Sequence, residues 1–544
     1  MADVITVDQL IQANSQAAAF LNKWDEFPPT KEDKERLRLY ELYGHIYETE
    51  HEEVFERAKA FLDSANPKKS AYIPVNICAL VSNKGADFLF GDDLIVKSQK
   101  PIGEGGEKAD LAINAIFDRS MLQPELHAGE ISSSRDGGVV LKVRCSNGEG
   151  GEEPGAYIEC MPSSFFFTIP NPRNVKRCLC AYMAYVSEEE NPEDATKPKR
   201  TLHREIQWPG YIATDAWEID KDGKKGKVGD QIGTTEITPT GYDGILMFYV
   251  PNQRMVGQFW GRSDYKAIMA LQDELNIAVS MLGMVLNKYS EPLMAVPQGA
   301  MEDGEDVIRE QLLTDPKLGD LTPEDVYRRL AMLVAQRDKN ILPVDATVFE
   351  PKDGNYEILK YLPRYIEWSA DLSSRLQQIQ EILLKMIMLV GETNATAIGA
   401  EVEGAPESGY ALRIRMSTPL AKVRRKMQYW DPAIKNAFHA ALALEKLNGI
   451  HSIEPERPTL EWPDGLPEDQ REIVEIAVMK KGHGLASLRT VVAEANPNLE
   501  GEALETELAE IKSDQAEQDS RTTAGGSFFG EPSEPAEDAV SEDG

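Results

Sequence analysis

The residue groupings in this sequence that could do chemistry fail on spacing. Gly223-Lys224-Lys225-Gly226-Lys227-Val228 carries the residue types of a phosphate-binding loop. Such a loop needs four residues between its glycines and a hydroxyl after the lysine to hold magnesium, so the stretch reads as a surface hairpin turn. Gly103-Glu104-Gly105-Gly106 lacks the full GxGxxG of a dinucleotide site. His45 and His51 stand six apart, neither i,i+3 nor i,i+4 on a helix, and no His-Glu-x-x-His pair occurs. No serine sits in a Gly-x-Ser-x-Gly elbow, and no cysteine has a local nucleophile signature. Paired carboxylates could do acid–base work. Glu188-Glu189-Glu190, however, falls in a polar loop, and Glu502, Glu505, Glu507 and Glu510 fall on a charged helix, where solvated faces explain them. No catalytic residue, metal site or cofactor is expected, and ATP hydrolysis has no loop to support it.

Composition narrows the classes further. The 544 residues, 42% of them hydrophobic, suffice for several folded modules. A net charge of −33 disfavours tight, non-specific wrapping of nucleic acid. The five cysteines are odd in number, and Cys178 and Cys180 are too close for a usual disulfide or zinc clip, which points to a reducing cytosol as the place of synthesis. The first residues, with Asp3 and Asp8 and no basic region, do not read as a secretory signal. The most apolar window, Ile382 to Val390, is interrupted by Lys385 and is far short of the roughly 20 residues that span a bilayer, so no membrane contact is expected.

The elements that would position any site follow from periodicity. Residues 31–66 read as helix, 71–97 as short strands and turns, 107–121 as helix, and about 138–260 as a β-rich zone with exposed loops at 146–155 and 187–200. Residues 262–290 form a long helix with Ser263 as N-cap and Ile268, Leu271, Leu275 and Val279 along its apolar stripe. A mixed excursion over 291–360 includes a helix near 322–337. A second long helix, about 363–390, carries Leu376, Ile379, Leu383 and Met386 at the same spacing. The two could pair antiparallel, since about 28 helical residues span about 42 Å. The Gly-rich stretch 391–409 is a long loop, and long loops between helices are usually functional. A third long helix, about 410–447, ends at Asn448-Gly449. Short polar helices fill 467–512, and the acidic, Gly/Ser/Pro-rich tail from Ser513 is expected to be disordered. The fold class is α+β.

Several of these patterns, in this order, resemble the portal family of long-tailed phages. The stretch Leu37 to Phe55 is similar to its opening, and Pro74-Val75-Asn76 through Phe88-Leu89-Phe90-Gly91 to its apolar run ending in a Leu-Phe-Gly turn. Gly261-Arg262-Ser263-Asp264-Tyr265, followed by Asp273 and Asn276, is similar to the Gly-x-Ser-Asp start of its first stem helix. Ser408-Gly409-Tyr410-Ala411-Leu412 resembles the point where its tunnel loop gives way to a kinked helix. Trp462-Pro463-Asp464 with Pro467-Glu468-Asp469, then Leu485 to Glu510, looks like its helical C-terminal region.

The resemblance implies an N-terminal arm over 1–29, an α/β wing beginning at 30–261, stem helices at 262–290 and 363–390, and a small α/β clip at 291–362. A tunnel loop at 391–409, a long wing helix at 410–449, a helical crown at 450–512 and the tail at 513–544 would complete the chain. It further implies a dodecameric ring at one capsid vertex that conducts double-stranded DNA. Implied partners are the terminase large subunit, the head-completion or adaptor proteins, and the major capsid and scaffold proteins. The chain would act in the virion after assembly in the host cytoplasm. The loop residues Asn394, Thr396, Ile398, Glu401, Val402, Glu403 and Glu407 would face the DNA, with Arg413 and Arg415 on the helix behind them. Stem packing would fall to Ile268, Leu271, Leu275, Val279, Leu376 and Ile379. The competing readings are a capsid or scaffold component that never touches DNA, and a hydrolase with dispersed catalytic residues.

Overall fold

A computed structural model describes residues 19–63, 72–101, 105–189, 198–220, 225–290, 293–297, 341–344, 364–366, 371–394, 396–397, 414–463, 470–496 and 501–525. The expected helix at 322–337 and loop residues 398–413 lie outside them. The chain divides into two compact units, one comprising residues 1–403 and 416–465, the other 404–415 and 466–544.

In the first unit, the layering follows from strand alternation. Strand β1 (Ile95–Lys97) stands ahead of the β-rich zone, which β2 (Gly138–Ser146), β3 (Gly155–Pro162), β4 (Phe166–Asn171), β5 (Asn174–Glu189), β6 (Lys199–Trp208), β7 (Tyr211–Ile219), β8 (Val228–Pro239) and β9 (Met247–Pro251) fill. They build an antiparallel β4-β5-β6-β7-β8 sheet and a β3-β2-β9 sheet, while β1 pairs with a later strand, β13 (Thr459–Glu461). On β5, Cys180, Tyr182 and Ala184 enter one apolar cluster, whereas Ala181 and Met183 enter another. On β2, Val139, Leu141 and Val143 face helices while Val140 faces the cluster that also holds Met183 and Phe166. The two sheets therefore share one apolar layer and each covers a second. The expected polar loop at 187–200 is shorter than its sequence suggests, because β5 runs to Glu189 and β6 starts at Lys199, each pairing as far as Glu189↔Lys199.

Helices α1 (Lys31–Tyr47) and α2 (Glu56–Leu62) come from the expected helical opening, broken by a 3-10 turn at His51–Glu53. Thr30 caps α1 by accepting the Asp33 amide. Of the strands expected within 71–97, the last is present as β1 and those over 77–90 are corrected: α3 (Ile77–Phe90) is helical, started by the Asn76 side chain accepting the Ala79 amide. Its buried residues, Ile77, Cys78, Val81, Ser82, Ala86, Leu89 and Phe90, recur at helical spacing, a pattern that Ser82 hid by being polar. Helix α4 (Gly106–Arg119) lies where expected, but α5 (Leu122–Asp136) was not foreseen, its interior carrying Pro124 and three consecutive serines.

The long helices are α6 (Tyr265–Ser290), α7 (Asp371–Val390) and α8 (Ser417–Leu447). Between α6 and α7, strands β10 (Leu293–Pro297), β11 (Ile341–Val344) and β12 (Arg364–Ile366) make a sheet in the order β11-β10-β12. Residues 364–366, expected as the start of the second long helix, are thus strand. Leu293 pairs with Ile366 antiparallel, so the facing ends of α6 and α7 are held together and the helices run in opposite directions. Gln380 Nε2 on α7 donates to the Ala278 carbonyl on α6 at 3.4 Å. Although α6 is long and apolar enough to cross a bilayer, Gln272, Asn276 and Ser280 form a buried polar ladder on it. That ladder accepts the backbone amides of Ile77, Val75 and Ile73, so α6 is a core helix that zips the segment 73–78 onto itself.

In the second unit, α9 (Gln470–Gly482), α10 (Leu488–Ala495) and α11 (Glu502–Gly525) follow one another. Val492, Leu504 and Leu508 pack together while Glu505 and Glu510 face solvent, as the solvated-face reading of those acids requires. The tail expectation is corrected through Gly525: the helix-forming residues after Ser513 extend α11 until the glycine pair at 525–526.

Candidate functional site at the root of the loop after α7

The loop expected to matter leaves α7 at Gly391, and what holds its root is a buried cluster of charges on three helices. Gly261 packs so tightly against Gly137 that a Cβ there would lie 2.1 Å from the Gly137 carbonyl oxygen, while Gly137 itself has φ +93. Ser263 Oγ accepts the Tyr265 amide at 3.0 Å and starts α6. Asp264 is thereby directed inward, where it receives Ser134 Oγ at 2.7 Å, Asn252 Nδ2 at 2.9 Å, Lys422 Nζ at 2.9 Å and Lys426 Nζ at 3.2 Å. Lys426 also pairs with Glu130 on α5, whose other oxygen accepts Trp430 Nε1 at 2.6 Å. Ser82 of α3 links in through hydroxyl–hydroxyl hydrogen bonds with Ser134 at 3.0 Å and with Tyr265 at 3.1 Å, donating one and accepting the other.

The ionisation of the cluster follows from these contacts. Burial by itself would raise the Asp264 pKa, but Lys422 and Lys426 overcome it and hold the carboxyl well below the usual carboxylate range. Burial opposes the charge on Lys426, and the two carboxylates facing it still leave its pKa raised. Lys422, with Asp264 as its near carboxylate and Lys426 as a like-charged neighbour, is pulled down by burial.

Lys422 ties this cluster to the loop. Its Nζ donates to the Gly391 carbonyl at 3.0 Å, and Arg425, one residue before Lys426, pairs with Glu392. Gly391 is buried, and a Cβ there would lie 3.2 Å from Val81 Cγ2. The Thr393 amide donates back to Met388 O at 2.9 Å, and the Asn394 side chain accepts the Ala397 amide at 2.7 Å. Of the expected loop residues, Asn394 and Thr396 therefore sit on this anchored root. Ile398, Glu401, Val402, Glu403, Glu407 and Arg413 lie outside the described residues, and Arg415 is in the helical turn at 414–415. Ile268 and Leu275 are buried with Leu383 and Ile387, Leu271 and Val279 pack against them, and Leu376 is half-buried. Ile379 is 46% exposed, because α7 is apolar on two faces and Ile379 shares the outer one with Ile382 and Met386.

Glu130, Lys422, Lys426 and Trp430 were not singled out from the sequence. A signal was present: Lys422 and Lys426 occupy stripe positions among Pro419, Val423, Trp430, Ile434 and Ala437, where a charge needs a buried partner. The hairpin reading of residues 223–228 agrees with β7 and β8 being antiparallel neighbours on either side of that stretch.

The family model described as "Phage portal protein, SPP1 Gp6-like" matches residues 29–521. No curated protein matches significantly. Among solved structures, the chain is similar to "Neck of empty GTA particle computed with C6 symmetry", at 12% identity over 80% of this chain and 92% of that one, with a TM-score of 0.40. It is also similar to "Neck of native GTA particle computed with C12 symmetry", at 13% identity over 80% and 92%, with a TM-score of 0.36.

Proposed function

Because the chain belongs to the SPP1 Gp6-like phage portal protein family, which is structural and not enzymatic, we propose that it forms a dodecameric ring at one capsid vertex and conducts double-stranded DNA. The family match across residues 29–521 carries this reading. In it, α6 and α7 are the stem, the β10-β11-β12 sheet belongs to the clip, the sheets of the first unit with α8 build the wing, and α9 to α11 build the crown. The outer face of α7 supports a ring: Ile379, Ile382, Met386 and Leu389 are 46%, 56%, 47% and 75% exposed in one subunit, an apolar stripe that a neighbour would cover.

The clip is assigned to the terminase and later the head-completion proteins, and the wing to the capsid shell. The loop beyond the anchored root would face the DNA with Glu401, Glu403 and Glu407, a collar of carboxylates that repels phosphates and lets the duplex slide. Imaging of the purified protein is the test. Closed rings with an axial opening are expected, and monomers at every concentration and salt would overturn the reading. A solid assembly without an opening would favour a scaffold role. Glu401→Lys with Glu403→Lys is expected to leave rings intact and slow DNA packaging most at low salt, measured in empty procapsids, because the added lysines would release counterions from the DNA. Wild-type rates at every salt would place the loop away from the channel.

A further inference from the structure

Two adjoining cavities, of about 550 and 250 Å³, open beside the loop root and share Gln253, Lys422 and Arg425 as walls. Their linings bring together Arg254, Arg262, Lys422, Arg425 and Lys426 against the carboxylates of Asp264 and Glu392. Among the described residues, and counting Glu130 behind Lys426 as well, five cations face three acids, an excess of two positive charges in a chain whose net charge is −33. Neither Arg254 nor Arg262 forms an ion pair among the described residues, and Arg254 Nε is buried without a hydrogen-bond partner. Lys422 lies between the two cavities, paired with Asp264 at 2.9 Å, and burial still holds its pKa below the ordinary value.

We infer that this double cavity is a binding site for a phosphate-class anion, held by the guanidinium groups of Arg254, Arg262 and Arg425 over Lys422. Arginine forks match two phosphate oxygens at once, and the cavity size is that of an ordinary small-ligand site, roughly 300–1,000 Å³. Occupancy has a structural consequence. The anion competes with Glu392 for Arg425 and with the Gly391 carbonyl for Lys422, which are two of the ties that hold the loop root. Every described residue of the lining belongs to the first unit.

The test is calorimetric titration of sodium pyrophosphate into the purified full-length protein. Saturable binding of one anion per subunit is expected. It should weaken about tenfold or more in Arg254→Gln with Arg262→Gln, which removes two charge-assisted contacts. It should stay unchanged in Arg173→Gln, an exposed arginine of the β4–β5 turn. Glu392→Gln should bind more tightly, because it frees Arg425. Should the double variant fail to fold, Arg262→Gln, which alters an exposed side chain, carries the same comparison. Non-saturating binding, or binding indifferent to these arginines, overturns the site. With binding established, competition by a short DNA duplex assigns the phosphate to a nucleic-acid backbone, and lack of competition assigns it to a free anion.

Discussion

Helix α6 and the residue just before it carry two acid–base contacts of nearly equal length and unlike surroundings. Asp264 meets Lys422 at 2.9 Å with the two side chains 3% and 8% exposed, whereas Asp273, 17% exposed, meets Arg57 at 2.8 Å with Arg57 49% exposed. Arg57 also pairs with Glu274, which is as open to water as itself. Coulomb attraction at one distance scales inversely with the dielectric, and so does the cost of leaving a partner alone. The exposed contact exchanges one hydrated state for another. The buried one is committed, because none of its members can return to water without opening the junction of α5, α6 and α8. Contact distance alone does not rank such interactions, and burial together with the partners that remain does.

The sharpest way to break this comparison is Lys426→Met. It leaves Asp264 with Lys422 and strips the buried Glu130 of its paired lysine, and should cost about 3–5 kcal/mol of stability, read by denaturant unfolding. A loss below 1 kcal/mol would put the cluster on a par with the surface pair. Asp264→Asn should fall at the low end of the same range, about 3 kcal/mol, since Glu130 still faces Lys426.

The same variant carries a pH signature. A folded carboxyl with a depressed pKa gives stability that is full above the unfolded value, near 3.9, and is lost as pH falls through the folded one. The unfolded chain binds the extra proton in that window, so wild type loses stability on acidification below about pH 4. Asp264→Asn should flatten that limb in a pH series of melts, and an unchanged limb would show that Asp264 is not held low.

Trp430→Phe keeps an aromatic ring, smaller than the indole, but removes the donor to Glu130, and should cost about 1–3 kcal/mol in the same unfolding measurement. Arg57→Ala should change stability by less than about 1 kcal/mol and should lose even that in high salt, whereas the Lys426→Met effect should resist salt. A salt-insensitive loss at Arg57 would erase the contrast.

The pattern of what was legible follows the same physics. Periodicity located α6, α7, α8 and the β-rich zone, because an apolar stripe on a long helix and alternation on a strand are local consequences of where one face goes. It misread 77–90, where a buried serine interrupted the stripe, and it left α5 unseen, where Pro124 and three serines weaken every local signal. The Gly261-x-Ser263-Asp264 motif was visible as residue types. Its reasons, a glycine without room for a Cβ, a capping hydroxyl and a carboxylate turned inward, were not.

By itself, then, the sequence determined the class of the chain: an acidic α+β protein with three long helices, a glycine-rich loop between two of them, and no spacing suited to covalent chemistry. Tertiary structure decided which charges are committed. The stripe positions of Lys422 and Lys426 call for buried partners but do not say which, until α5 and the start of α6 bring Glu130 and Asp264 to Lys426 from 296 and 162 residues away. Side-chain ionisation depends on what surrounds a group in space. Neighbours so distant along the chain are set only when the helices pack.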